Sequence, residues 1–223
     1  MSLHTGLVMV KADARGAMSE VFEAFGYRTI DAAKARSWEA AVSAIRGERG
    51  AAPAAYKPVV FERGWTAIID DELVMFSDEE ACSALARRFA APVFCMCCEG
   101  ISSTYALMFF NPDLQRSFML VDGEVTDDRG APLPEESGID LAELFETDVL
   151  DIMQRLGFPF DALESATDFD VWNLVFEASE DLDLSQTPPP LPSTPPQTIT
   201  PPRGTAHYPS VRIQPKKPWW KIW

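Results

Sequence analysis

Histidine is scarce in this chain, which has two among 223 residues, His4 and His207. A Ser-His-Asp or Cys-His catalytic arrangement needs a base held by a packed scaffold. Neither position is expected inside the folded body. Glycine-rich phosphate loops are missing: neither G-x-G-x-x-G nor G-x-x-x-x-G-K-[ST] occurs, so nucleotide binding by those routes is not indicated. The start, MSLHTGLVMVKADARG, lacks a basic stretch followed by a long apolar run, which argues against a secretory signal. Apolar runs elsewhere fall well short of the ~20 residues that cross a bilayer as a helix. A cytoplasmic protein is expected. Acidic residues are absent after Ser185, and that absence divides the chain electrostatically.

With 34 acidic against 19 basic residues, the formal charge is −15. All the acids precede Ser185, whereas Arg203, Arg212, Lys216, Lys217 and Lys221 follow it. A body this negative repels phosphate backbones, which argues against nucleic acid as its partner. It suits a basic protein, or it imitates nucleic acid toward a protein that binds it. The plain alternative is that the acidity serves solubility.

Four cysteines are present: Cys82, Cys95, Cys97 and Cys98. Three lie in Val93-Phe94-Cys95-Met96-Cys97-Cys98, an apolar run with the pattern of a buried strand. Neighbouring strand residues point to opposite faces, so Cys97 and Cys98 cannot share one metal without distortion. Cys95 and Cys97 share a face, but tetrahedral zinc needs two further ligands. These residues are expected to be reduced cysteines packed as small hydrophobes. The sequence assigns no catalytic, cofactor-binding or metal-binding residue, and no cofactor.

The pattern along the chain predicts an α+β fold, a mainly antiparallel sheet with helices packed on one side. Leu7-Val8-Met9-Val10 reads as a first strand. A helix capped by Ser19 carries Val21, Phe22 and Phe25 and stops at Gly26. Another follows Ser37, with Trp38, Val42 and Ile45 inward. Val59-Val60-Phe61 and Trp65-Thr66-Ala67-Ile68-Ile69 flank Arg63-Gly64 as a hairpin. Leu73-Val74-Met75-Phe76 is expected to be a short strand. Ser77-x-x-Glu80 reads as a capping box, opening a helix with Ala81, Cys82, Leu85, Ala86 and Phe89 inward and Arg87 and Arg88 near its negative end. Strands are expected over 93–98, 104–110 and 116–121, joined by short turns that favour antiparallel pairing. Ser102-Ser103-Thr104 reads as a turn. Residues 127–138 are expected to be a loop, 140–156 one long helix with Leu144 and Phe145 on its inner stripe, and 171–176 a last strand. The globular domain spans 1–184, with room for a small N-terminal lobe over 1–54.

Residues 185–223 have another composition. Eleven of the 18 prolines fall between 188 and 218, among Ser, Thr and Gln. With little apolar surface to offset ordering entropy, a disordered, polyproline-like tail is expected. It ends in Lys216-Lys217-Pro218-Trp219-Trp220-Lys221-Ile222-Trp223. Half of the six tryptophans lie in the last five residues. Trp219, Trp220, Trp223, Lys216, Lys217 and Lys221 are therefore the candidate partner-binding residues. Tryptophan anchors often dominate binding in a groove. That groove belongs to a partner or to the chain's own acidic body. Contact with a membrane surface, which Trp and Lys also favour, ranks lower.

Gly64-Trp65-Thr66-Ala67-Ile68, then Gly130-Ala131-Pro132-Leu133-Pro134-Glu135-Glu136, then Leu156-Gly157, resemble a family of uncharacterised bacterial α+β proteins with a G-W-T strand and a G-x-P-L-P-x-E loop. In size and acidity that group loosely resembles the immunity proteins that neutralise toxins. The resemblance implies a binding role and supplies no binding residues.

The leading expectation is thus a non-catalytic, cytoplasmic, protein-binding protein, in its narrower form an immunity-type inhibitor of a basic toxin. One alternative is an enzyme using carboxylates and Mg²⁺, drawn from Asp70-Asp71, Asp127-Asp128 or Glu135-Glu136. Another is an adaptor acting through the tryptophan-rich tail. Under the adaptor reading, deleting residues 215–223 abolishes retention of the partner while thermal unfolding stays cooperative. Binding that survives the deletion rules the adaptor out.

Overall fold

The computed structural model describes residues 4–47, 54–158 and 160–176. The proline-rich segment, with Trp219, Trp220, Trp223, Lys216, Lys217 and Lys221, lies outside the described residues.

The described chain forms nine strands and five α-helices. In order they are β1 (His4–Val10), α1 (Met18–Glu23), β2 (Tyr27–Ala35), α2 (Trp38–Gly47), β3 (Ala54–Glu62), β4 (Trp65–Asp70), α3 (Glu79–Phe89), β5 (Val93–Glu99), β6 (Thr104–Phe110), β7 (Leu114–Val121), β8 (Glu124–Gly130), α4 (Glu146–Arg155), α5 (Phe160–Glu164) and β9 (Phe169–Phe176). The strands make one sheet in the order β2-β9-β3-β4-β1-β5-β6-β7-β8. Every neighbouring pair is antiparallel. This is the α+β, antiparallel class that the pattern implied. Residues 4–47 supply β1 near the middle of the sheet and β2 at its edge, so they share the sheet with the rest of the body rather than standing apart as a lobe.

The helices differ from expectation in covering both faces. Val8, Val10, Cys95 and Cys97 pack with Met18, Val21 and Phe22 of α1 and Cys82 and Leu85 of α3. Leu7, Met9, Phe94, Met96 and Cys98 pack on the other face with Ile45 of α2, Val149 and Ile152 of α4 and Leu163 of α5. The reason is the side-chain period of two: a strand with apolar residues on both faces must be covered twice. All six residues of β4 are buried, as are the first six of β5.

The two tightest hairpin turns follow from their residues. Arg63-Gly64 and Asp122-Gly123 each hold two successive positive φ angles, 51° and 80° in the first and 51° and 79° in the second. That is the twist which suits a two-residue hairpin. The second turn leads into β8, where a loop was expected. Pro58 sits in β3 immediately before its ladder with β4 begins at Val59, so its missing N–H falls outside that ladder.

Other local expectations shift by small amounts. The α3 cap is Asp78, whose carboxylate accepts the Ala81 N–H at 2.9 Å. Ser77 instead ends a 3₁₀ turn, Met75–Ser77, in the place of the expected strand, and its hydroxyl donates to the Val74 carbonyl. Ser19 lies inside α1 rather than at its cap. The helix expected over 140–156 divides into a 3₁₀ turn, Leu141–Glu143, and α4.

The segment after β8 is pinned by charge. Arg116 of β7 is 1% exposed, and its Nε donates to Glu136 Oε1 at 2.9 Å while Nη1 donates to Asp128 Oδ1 at 2.5 Å. Glu136 Oε1 also accepts the Leu133 N–H. The glutamate closing the G-x-P-L-P-x-E segment is therefore a structural clamp. Gly130, which opens the segment, has φ +83°, and a Cβ there would run into the Gln115 carbonyl oxygen. Gly64 has a similar φ of +80° with open space around it. Gly64→Ala should therefore cost about 1 kcal/mol from backbone strain alone. Gly130→Ala should cost clearly more, on the order of 2–4 kcal/mol with the clash added. Equilibrium denaturation of the two variants checks the difference.

Candidate functional site

Four of the candidate acids, Asp70, Asp127, Asp128 and Glu136, are held by cations or backbone donors. Asp70, at the end of β4, is fully buried. Its Oδ1 accepts Lys57 Nζ at 2.5 Å, and its Oδ2 accepts the Met75 N–H at 2.6 Å and the Phe76 N–H at 3.2 Å. Lys57 also donates to Glu72 at 2.9 Å. Burial pulls the Lys57 ammonium down, but Asp70 and Glu72 outweigh it and hold the group above its usual range. Asp127 accepts from Ser117 and from Arg129, and the Arg129 hydrogen bond leads in holding it below the usual carboxylate range. Arg129 reaches on to Glu79 of α3. Asp128 and Glu136 hold Arg116. These acids tie loops to the sheet.

His4 belongs to the folded body, contrary to its expected place outside it. Its Nε2 lies 2.9 Å from the Asp71 carbonyl, and its Nδ1 faces the Glu99 carboxylate. Among the described residues, no three His, Cys, Asp or Glu side chains form a group able to hold a metal ion.

The cysteines lie as the strand pattern implied, Cys95 and Cys97 on one face and Cys98 on the other. Cys82 of α3 meets Cys95 with the sulfurs 3.4 Å apart. Burial pushes the Cys97 thiol up to about 12, with Asp70 adding to the effect. Burial likewise raises Cys95 and Cys98.

The remaining candidate is an open cleft of about 350 Å³ at one end of the β6-β7 hairpin. It is lined by Ser103, Tyr105, Leu120, Asp122 and Gly123 on the sheet side, and by residues 142–145 leading into α4. Tyr105 pairs with Leu120, and Leu120 with Val125 on the edge strand β8. The floor is apolar and buried, formed by Tyr105, Leu120 and Leu144. Phe145 forms a wall, its ring 5.5 Å from the Tyr105 ring, and remains 56% exposed. Its backbone is fixed because its N–H donates to Asp148 Oδ2 at 3.0 Å, closing the first turn of α4. The ring therefore faces outward from the cap, where the helical stripe had placed it inward.

The cleft's ionisable lining is acidic, Asp122 and Glu143. Glu146 lies near enough that its charge adds to burial in raising the Tyr105 hydroxyl. Sequence reasoning missed this site because Ser103 and Asp122 are ordinary turn residues. Their convergence depends on how the hairpin meets the segment before α4.

The chain matches no protein-family model, no curated protein and no solved structure. Among the described residues, no helix is long and apolar enough to cross a membrane.

The buried thiols carry a pH prediction. Each raised thiol favours the protonated form in the fold. Its contribution is complete below the unfolded-chain value of about 8.5 and is lost as pH rises through the folded value. Denaturation under reducing conditions should show stability falling from about pH 8.5 upward, by roughly 1.4 kcal/mol per pH unit for each raised thiol, Cys95, Cys97 and Cys98. Stability unchanged up to about pH 10 would contradict protonated, buried thiols at these positions.

Proposed function

We propose that this is a non-catalytic, cytoplasmic, protein-binding protein whose acidic body engages a basic protein. Its narrower form is an immunity-type inhibitor of a basic toxin, as the family resemblance implies. The observation that carries the reading is the excess of acid over what the fold uses. Asp70, Asp127, Asp128 and Glu136 are each committed to internal cations. Thirty-four acids nevertheless face only 19 basic residues, five of which follow Ser185. The surplus surrounds the body with a negative field, which speeds encounter with a cationic partner and discriminates against anionic ones.

The same pairing weighs against the enzyme reading. A general base must be within reach of a substrate proton, and Asp70 instead spends its lone pairs on Lys57 and two backbone amides. Asp128 and Glu136 spend theirs on Arg116.

The test is affinity capture with the full chain in its host, followed by titration of the purified captured protein. The expected partner is basic, binds in a fixed ratio and dissociates faster as salt rises. Recovery of no stoichiometric protein, or of one whose binding is indifferent to salt, overturns the reading.

A further inference from the structure

We infer that the cleft between the β6-β7 hairpin and Phe145 is the docking site for a basic partner segment, one that inserts an aromatic or large aliphatic side chain flanked by lysine or arginine. The inference rests on the binding role proposed above and names the place where the partner's anchor sits.

Three observations converge there. The first is a row of paired residues that runs out of the core. Cys98 pairs with Tyr105, Tyr105 with Leu120 and Leu120 with Val125, and their exposures are 0%, 3%, 4% and 46%. The apolar floor thus continues past the cover supplied by α4 and reaches the edge strand as an open ledge. The second is Phe145, a large ring left 56% exposed on a backbone held by Asp148. A pre-positioned aromatic at the mouth of an apolar cleft keeps the ordering cost of binding low. Aromatic pairs add about 0.5–1.5 kcal/mol beyond area burial. At the same end of the sheet, in the β5-β6 turn, Ile101 is 90% exposed.

The third observation is charge. Asp122 and Glu143 line the cleft and Glu146 lies close by, with no basic side chain in the lining. An anionic lipid or nucleic-acid surface meets repulsion there, while a cation beside an inserted ring gains from every one of these carboxylates. A volume of about 350 Å³ has room for one or two side chains, and it sits at the bottom of the ~300–1,000 Å³ range of ligand pockets. The geometry therefore fits an anchor residue on an extended peptide, the arrangement in which a few buried side chains carry most of the affinity.

The experiment uses the full chain and fluorescein-labelled synthetic peptides, read by anisotropy and by backbone NMR shifts. One peptide has a central Trp between four lysines, a second replaces that Trp with Ser, and a third replaces the lysines with Glu. The first should bind, with shifts at Ser103, Tyr105, Leu120, Asp122 and Gly123. The other two should bind at least ten-fold more weakly. Phe145→Ser should weaken the first peptide, and the captured protein partner, by ten-fold or more, while Phe145→Leu restores most of the affinity. Serine is a favoured helix cap, so Phe145→Ser should keep cooperative unfolding. Asp122→Asn with Glu143→Gln should flatten the salt dependence. Undiminished binding of the captured partner to Phe145→Ser overturns the cleft while leaving the binding role intact. Absence of any basic partner or peptide bound to the wild-type chain overturns both. Binding to vesicles of anionic lipid in preference to the lysine-tryptophan peptide also overturns the assignment.

Discussion

A sheet whose central strands carry apolar side chains on both faces has two faces to remove from water, and the remaining architecture answers that demand. β4, β1 and β5 send Ile68, Val8, Val10, Cys95 and Cys97 toward one side and Ile69, Leu7, Met9, Phe94, Met96 and Cys98 toward the other. Helices α1 and α3 cover the Val8 and Cys95 side, and α2, α4 and α5 cover the Leu7 and Phe94 side. Covering one face alone would leave a row such as Leu7, Met9, Phe94 and Met96 in water, at about 1.5–3 kcal/mol for each side chain. The same constraint governs polar residues within the sheet. Lys57, Asp70 and Arg116 lie where water cannot reach, and a buried charge persists only if paired and fully hydrogen-bonded. Each of them is.

These pairs also explain how loops hold their place. Arg116 reaches out of β7 to Asp128 and Glu136, so one guanidinium fixes both the edge strand β8 and the turn after it. Asp70 draws the 3₁₀ turn before α3 back to the end of β4 through two backbone amides. The acids with the most specific geometry thus serve cohesion. The electrostatic character available to a partner comes from the acids left over, and it matters most where apolar cover gives out, beside Phe145.

Local chemistry was legible wherever a residue acts on its immediate neighbours. Arg63-Gly64 and Asp122-Gly123 form turns because Gly accepts a positive φ without a Cβ clash. The inner stripe of α3, the meander of β5, β6 and β7, and the opposed directions of Cys97 and Cys98 follow from periodicity alone. The strands that escaped notice are the two at the sheet's edges. Neither Tyr27–Ala35 nor Glu124–Gly130 carries an apolar alternation, because an edge strand facing solvent has little to bury, and charges there discourage further pairing. Phe145 was misplaced for a related reason. Leu141, Leu144, Val149 and Ile152 keep helical spacing across a break that periodicity does not register.

By itself, the amino-acid order determined the α+β class, the antiparallel hairpins, the packing direction of the cysteines and the separation of an acidic body from a basic, tryptophan-rich end. These depend on side-chain period, turn conformation and charge count, all of which act over a few residues or by simple summation. The tertiary structure alone decided that helices lie on both faces, that Asp70 and Glu136 are clamps, and that Ser103, Asp122 and Phe145 meet around one cleft. Those outcomes depend on contacts between residues far apart in the chain. Arg116 and Glu136 are 20 positions apart, and Tyr105 and Phe145 are 40. Such meetings are set by how the sheet and its covering layers pack, which no local pattern encodes.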